Sequence, residues 1–434
     1  MTHFHGFQPG MGRRLHAAAD AAPDLPAPDT VRYELLGFME GFPPAPEKLV
    51  TRENYLVEYP KLRWAFQHMR ELVPSRQIRR GSGATSELPR GADLTAQIDA
   101  LSITLNDGSE IDFSEFLSCS YADACIILHR GKVIYEQYPN QPDPLSPHML
   151  WSVTKSFTGL VAAMLIAEDV MDPNAQVTDL IPELASSGWR GASVQQVLDM
   201  TADIKYSEVY ADGTSDVKYY GLAAGITQSP QWTGPTRLYD YLPTIGAARE
   251  HGRYFAYRTV HTEVLGWLIR RASGKDVATH IGERIWSKLG AEEDALLLLD
   301  PTGTEWAGAG LNATLRDLAR FGEMMRNGGK WNGQQIIPAA IIEDLQRGAD
   351  RKAFADFGRR GMNGYSYHNQ WWISHNADGV YEAMGVHGQL IHINPAVELT
   401  VVRTASHPIA SNEFTYEMTT AAMQRLAGHL GGRV

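Results

Sequence analysis

A serine followed three residues later by a lysine opens the longest uninterrupted apolar segment of this chain. The tetrapeptide is Ser152-Val153-Thr154-Lys155, and residues 157–167 after it are apolar apart from one threonine and one glycine. Such a segment predicts a buried helix, and residues three apart on a helix lie on the same face. The pattern therefore predicts a hydroxyl and an amine side by side at the start of a buried helix.

This arrangement indicates covalent catalysis by an activated serine. The free N–H groups of a first helical turn can stabilise an oxyanion. Burial of a lysine removes its hydration and lowers its pKa toward that of a general base. A second copy of the spacing, Ser215 to Lys218, lies in a polar, turn-rich stretch. We interpret that copy as a solvated loop with no apolar helix behind it, which leaves Ser152 as the candidate nucleophile.

Charge and cysteine content restrict the classes of partner. The net charge of −11 argues against nucleic acid or an anionic membrane as a partner. Cys119 and Cys125 give no disulfide framework, and the 15 histidines form no His-Glu-x-x-His pattern. We therefore expect an enzyme without metal or cofactor that acts on a small molecule. No segment is apolar enough to span a bilayer and no signal sequence is visible, which predicts a cytoplasmic protein. The sequence leaves open whether the chain forms a homodimer.

The order of strand and helix signals predicts the organisation of the chain. Residues 1–90 contain Pro-rich stretches and aromatic residues, which predicts an N-terminal arm that wraps the body. Strand signals lie near both ends of the body and helical periodicity lies between them, so we expect an α/β (α+β) fold. In it, residues 91–155 and 300–434 form an antiparallel sheet flanked by helices, and residues 156–299 form an inserted, mainly helical subdomain. The predicted strands are 124–129, 132–138, 370–374, 390–393 and 398–403, and the principal predicted helices are 154–167, 194–200, 264–272, 315–325 and 413–426.

Two further segments can complete a serine-lysine site. Tyr257 lies in a loop directly before the predicted helix at 264–272, and a tyrosine can pass a proton to the leaving group. Gly388 precedes the predicted strand at 390–393, where a substrate can approach backbone N–H groups closely. Both segments are expected beside Ser152.

These motifs, in this order, resemble the serine β-lactamase and penicillin-binding-protein superfamily. They are Ser152-x-x-Lys155, Tyr257 and His387-Gly388, and the similarity extends over about residues 120 to 430. Within the superfamily, the chain is most similar to the esterase and amide-hydrolase branch that includes the 6-aminohexanoate-dimer hydrolases. The resemblance implies a β-lactamase/DD-peptidase-like fold and a serine hydrolase that cleaves esters or linear amides.

The resemblance also implies roles for individual residues. Ser152 would be acylated, and Lys155 and Tyr257 would share the role of base because their titrations are coupled. The oxyanion hole would consist of the Ser152 N–H and an N–H just after Gly388, from Gln389 or Leu390. Tyr210 corresponds to a tyrosine that the 6-aminohexanoate-dimer hydrolases present to the substrate amide.

The chain departs from the penicillin-recognising members at two positions. Tyr257-Arg258-Thr259 lacks their asparagine, and His387-Gly388-Gln389 replaces Lys-Thr-Gly. The imidazole of His387 is mostly neutral at pH 7, so it offers no fixed cation to a drug carboxylate. These departures favour neutral or differently charged esters and amides. A structural role for His387 in a strand is almost as well supported as a catalytic one.

Two other functions stay open at this point, a β-lactamase or D-Ala-D-Ala peptidase and a non-catalytic ligand-binding or sensor protein on the same fold. An α/β-hydrolase is disfavoured because no Gly-x-Ser-x-Gly occurs. Gly308-Ala309-Gly310 resembles a dinucleotide fingerprint, but the loop Asp300-Pro-Thr-Gly-Thr304 intervenes between it and the apolar run that ends at Leu299. We interpret it as a loop leading to a helix cap at Asn312 or Thr314.

Overall fold

A seven-stranded antiparallel sheet forms the centre of the computed structural model, which describes residues 25–358, 361–411 and 413–432. The strands, in chain order, are β1 Ser75–Ile78, β2 Ser102–Thr104, β3 Glu110–Asp112, β4 Ala122–His129, β5 Lys132–Gln137, β6 His148–Met149, β7 Ala295–Leu298, β8 Leu311–Ala313, β9 Lys330–Trp331, β10 Gln334–Gln335, β11 Ser366–His368, β12 Trp371–Ile373, β13 Tyr381–Gly385, β14 Gln389–Asn394 and β15 Leu399–Ala405. The central sheet has the order β11-β12-β13-β14-β15-β4-β5. Its strands therefore come from both ends of the body, as predicted.

Helices cover the two faces of this sheet and, with the short strands β7 to β10, form the long connection between β6 and β11. Among the described residues, no helix is both long and apolar enough to cross a bilayer. The α-helices are Lys61–Ala65, Met69–Leu72, Thr95–Asp99, Phe113–Cys119, Val153–Ala167, Val177–Leu180, Val194–Leu198, Asp216–Ala223, Leu238–Tyr241, Thr259–Ser273, Val277–Ile281, Ser287–Leu289, Leu315–Arg326, Ala339–Arg347, Arg351–Phe354 and Glu413–Leu430, with a π-helical turn at Gly282–Trp286.

The hairpin of β4 and β5 is confirmed, and local chemistry explains it. Arg130 and Gly131 have φ angles of 52° and 74°. Positive φ at both positions is the pattern of a type I′ turn, whose twist matches that of the flanking strands. The helix cap predicted after the Gly308 loop is also confirmed, because the Thr314 side chain accepts a hydrogen bond from the Asp317 N–H.

A second sheet, with the order β1-β7-β8-β6, was not predicted from the sequence. Strand β1 has three polar residues in four, so it shows no strand periodicity. It pairs along its whole length with β7, and Arg76 forms an ion pair with Asp276 at 2.7 Å. The pairing of β6 with β8 holds the chain that enters the Ser152 turn.

The described part of the N-terminal arm packs into the body. Arg63 is fully buried, and its guanidinium lies 3.2 Å from the carboxylate of Asp123 on β4. The Tyr55 hydroxyl donates to the Ile226 carbonyl oxygen at 2.9 Å. These contacts agree with an arm that wraps the body, while the proposed boundaries between subdomains stay a prediction. Residues 1–24 of the arm lie outside the described residues.

Gly159 permits close contact between the helix Val153–Ala167 and the turn before β12. A Cβ atom at Gly159 would lie 2.2 Å from the Asn369 carbonyl oxygen and 2.8 Å from the Gln370 Cβ. We expect Gly159→Ala to lower the free energy of unfolding by about 1–3 kcal/mol, although alanine favours helix. Gly213→Ala is the matched control, since a Cβ there meets nothing within 4 Å. Urea unfolding of both variants measures the effect, and equal midpoints would contradict this packing.

Candidate active site

Ser152 lies in a tightly constrained turn at the start of the helix Val153–Ala167. The preceding residue, Trp151, has a φ angle of 49°, which is unfavourable for a residue with a bulky side chain. The Thr154 hydroxyl donates to the Trp151 carbonyl oxygen at 2.6 Å and accepts from the Leu311 N–H at 2.9 Å. The turn is therefore held both by its own helix and by β8, which keeps the Ser152 hydroxyl in one place.

The Lys155 ammonium group lies directly beside this hydroxyl. Its Nζ is 2.8 Å from the Ser152 Oγ and donates to the Gly308 carbonyl oxygen at 2.7 Å. The side chain is 1% exposed. Burial lowers the pKa of Lys155 to about 8, although the carboxylates of Glu208 and Glu263 oppose that shift. Roughly a tenth of the amine is therefore neutral at pH 7, far more than for an exposed lysine, and this neutral form is what a general base requires.

Tyr257 is brought to the same place from a distant part of the chain. The Lys155 Nζ lies 5.2 Å from the centre of the Tyr257 ring. The half-buried ring stacks on Trp372, with 5.3 Å between centroids and an interplanar angle of 19°, and meets the edge of Tyr367 at 5.9 Å. A wall of aromatic rings from the sheet thus holds Tyr257 beside the serine-lysine pair.

Two carboxylates near Lys155 were missed by the sequence analysis. Glu263 is 2% exposed on the helix Thr259–Ser273 and accepts hydrogen bonds from the Ala307 and Gly308 N–H groups. The sequence does give a signal for Glu263, which is a charged residue within the apolar stretch of that helix. Glu208 had no such signal, because it lies in a polar loop.

Glu208 joins Tyr210 to the helix that follows Tyr257. Its carboxylate accepts hydrogen bonds from the Tyr210 hydroxyl at 2.9 Å and from the Thr259 hydroxyl at 2.6 Å. The Tyr210 residue is 38% exposed. This contact places the predicted substrate-binding tyrosine at the rim of the site, beside the N-terminus of the Thr259–Ser273 helix.

The end of β13 and the connection to β14 lie next to the Ser152 turn. A Cβ atom at Gly385 would lie 2.4 Å from the Leu150 carbonyl oxygen, so only glycine permits this approach. The rings of His387 and Trp151 are 5.6 Å apart. The Gln389 side chain exchanges hydrogen bonds with the backbone of Ala405, so both ends of its amide are engaged away from Ser152.

The second serine-lysine copy is not a solvated loop, and that expectation was wrong. Ser215 is 1% exposed and precedes the helix Asp216–Ala223. Its hydroxyl donates to the Ser207 carbonyl oxygen at 2.9 Å and accepts from the Val209 N–H. Serine is favoured at helix starts, so a polar turn before a helix resembled a loop in the sequence. The exposed Lys218 leaves Ser215 in a structural position.

Comparison with known proteins identifies the family. The beta-lactamase family model matches residues 122–416. The chain belongs to the beta-lactamase family. The 6-aminohexanoate-dimer hydrolase of Paenarthrobacter ureafaciens is 34% identical over 352 residues, which cover 81% of this chain and 87% of that protein. This beta-lactamase family member is therefore a hydrolase of amide or ester bonds.

Solved structures agree with this assignment. A Bacillus anthracis protein described as a candidate 6-aminohexanoate-dimer hydrolase has a TM-score of 0.81 and 32% identity, covering 90% of this chain and 99% of its own. A penicillin-binding-protein homologue from Caulobacter crescentus has a TM-score of 0.53 and 17% identity, covering 72% and 96% of the two chains. The second likeness shows a shared fold alone.

His387 differs from the lysine of penicillin-recognising members in charge as well as in size. Burial lowers the pKa of His387 to about 4, and its Nδ1 donates to the His407 carbonyl oxygen at 2.7 Å. The ring packs against Phe66 of the N-terminal arm and against Trp151. In this beta-lactamase family member, the position therefore carries a neutral, packed imidazole at neutral pH.

Proposed function

We propose that this chain is a serine hydrolase that cleaves ester or linear amide bonds through an acyl-enzyme on Ser152. The observation that carries the proposal is the contact of 2.8 Å between the Lys155 Nζ and the Ser152 Oγ, with the Tyr257 ring 5.2 Å from the same Nζ. A nucleophile, a base and a second proton carrier within reach of one another are the requirements of such chemistry.

The proposed reaction moves one proton around the site. Lys155 accepts the Ser152 proton while the Oγ–carbon bond forms and the carbonyl oxygen becomes an oxyanion. Tyr257 gives its phenolic proton to the leaving group as the carbon–leaving-group bond breaks, and the Lys155 ammonium restores that proton. Water then attacks the acyl-enzyme with the same groups in reverse order.

Backbone N–H groups from two segments would stabilise the oxyanion. Within the described part of the chain, the Ser152 N–H donates to no backbone acceptor. The second donor would be the N–H of Gln389 or Leu390, just after Gly388. The close approach of Gly385 to the Ser152 turn supports this pairing. Donors on a helix start and a strand edge need little reorganisation during reaction.

The charges around the site favour neutral or amine-bearing substrates over anionic ones. Glu208 and Glu263 both act on Lys155, and His387 is neutral where a fixed cation would hold a carboxylate. Tyr210 at the rim is our candidate contact for the substrate amide. The name of the 34% identical relative, 6-aminohexanoate-dimer hydrolase, supports a linear amide as one substrate.

Substrate preference tests this proposal. We expect p-nitrophenyl butyrate to be hydrolysed with a kcat/KM at least ~100-fold above that for nitrocefin, because the anionic drug lacks a partner for its carboxylate. The purified full chain is assayed with both compounds and with the linear dimer of 6-aminohexanoate. Nitrocefin turnover equal to ester turnover would instead support the β-lactamase alternative. Saturable binding of all three compounds without turnover would support a sensor protein.

A further inference from the structure

Glu263 is a buried carboxylate to which the proposed reaction assigns no step. Its Oε2 accepts from the Ala307 N–H at 2.9 Å. Its Oε1 accepts from the Gly308 N–H at 3.0 Å and from the Tyr220 hydroxyl at 2.7 Å. Three donors from two segments thus hold the carboxylate, which is a favourable environment for its ionised form.

One residue separates this carboxylate from the Lys155 amine. Gly308 donates its N–H to Glu263 and accepts a hydrogen bond from Lys155 through its carbonyl oxygen. A Cβ at Gly308 would lie 3.0 Å from the Glu263 Oε1, so the absence of a side chain lets the carboxylate and the amine approach. Opposite charges at short range in a buried site interact strongly, because little water screens them.

We propose that Glu263 is a positioning residue that strengthens Lys155 as a base and stabilises the ammonium group formed when Lys155 takes the Ser152 proton. This inference rests on the proposed function, in which that proton transfer occurs. Glu263 itself gains and loses no proton. Its negative charge attracts the Lys155 ammonium group. Its hydrogen bond with the Gly308 N–H also fixes the residue whose carbonyl oxygen contacts Lys155.

The charge balance of the site supports this role. Burial raises the pKa of Glu263 to about 7, and the Tyr220 hydroxyl, the backbone N–H groups and the Lys155 ammonium counteract the rise. The carboxyl is therefore mostly ionised near pH 8, where half of Lys155 is neutral. The other titratable groups that act on this pair or lie beside it come from several elements: Glu208 and Tyr210 in the loop before the helix Asp216–Ala223, Tyr220 on that helix, Tyr239 on Leu238–Tyr241, and Tyr257.

The test is the pH dependence of fluorophosphonate labelling of the full-length Glu263→Gln variant. The second-order labelling rate constant of the wild type should rise through an inflection near the pKa of Lys155, about 8. Removing an opposite charge at this range should move the inflection down by about 1–3 pH units. A merely structural role would lower the rate equally at every pH, and an unmoved inflection would overturn the inference.

A second buried carboxylate provides the control for this test. Glu305→Gln is the matched control, because Glu305 is 5% exposed and also accepts from two backbone N–H groups, those of Val277 and Ala278. The Glu305 carboxylate does not act on Lys155, so the inflection of the labelling rate in Glu305→Gln should stay at the wild-type value. A shift as large as that of Glu263→Gln would overturn the inference.

If Glu263→Gln does not fold, Tyr220→Phe decides. Loss of the hydroxyl donor raises the pKa of Glu263, so the inflection should move in the same direction by a smaller amount. No movement in Tyr220→Phe overturns the inference. Failure of the proposed function has a different signature, since the wild type would then not be labelled at Ser152 at any pH.

Discussion

Ser152→Ala should abolish turnover of p-nitrophenyl butyrate, with a loss of at least ~1,000-fold in kcat, while the protein stays folded. Alanine removes the oxygen atom that we propose forms the acyl-enzyme, but the Ser152 side chain makes no capping hydrogen bond to the helix. The turn is held by Thr154, whose hydroxyl contacts both Trp151 and Leu311. Steady-state kinetics and thermal melting, followed by circular dichroism, measure the two parts of this expectation.

Ser215→Ala is the control for this prediction, because Ser215 belongs to the second serine-lysine copy. Its loss should lower stability, since its hydroxyl bonds to Ser207 and Val209. Fluorophosphonate should still label the Ser215→Ala variant with one equivalent and should not label Ser152→Ala. Labelling that persists without Ser152 would place the nucleophile elsewhere.

Lys155→Met should lower kcat/KM by about 10²–10⁴-fold, because the Ser152 hydroxyl then has no base beside it. Methionine has nearly the length of lysine and suits a site that is 1% exposed, so the variant should fold. The pKa of Glu263 should rise further without the ammonium beside it, which neutralises the carboxyl and limits the loss of stability. The measurement is the pH profile of kcat/KM, and raising the pH should not restore the rate.

Lys218→Met is the matched variant for Lys155→Met. Lys218 is exposed on the helix Asp216–Ala223 and occupies the same position in the second serine-lysine copy. Its substitution should change kcat/KM by less than about twofold. A Lys155→Met enzyme within tenfold of the wild type would remove Lys155 from the mechanism and leave Tyr257 as the base.

Local patterns predicted those parts of the fold whose stabilising contacts lie close together in the chain. The helix Val153–Ala167 followed from one apolar run, and the hairpin of β4 and β5 followed from two β-rich runs and the turn at Arg130-Gly131. Strands β1 and β13 were missed. The pairing of β1 with β7 depends on a partner far away in sequence, and side-chain periodicity does not report such a partner. Strand β13 pairs with the neighbouring β14, but all five of its residues are buried, so it has no clear alternation of apolar and polar positions.

By itself, the sequence determined the family, the sheet built from both ends of the body, and the neighbouring Ser152 and Lys155. Helical geometry makes that last contact local, because three residues span about one turn. Only the tertiary structure decided that Tyr257 and the Gly308 carbonyl lie beside the same amine, and that Glu263 lies on the other side of Gly308. They come from segments that packing alone brings together, and the pKa of Lys155 depends on how far these segments exclude water and how close they bring charge.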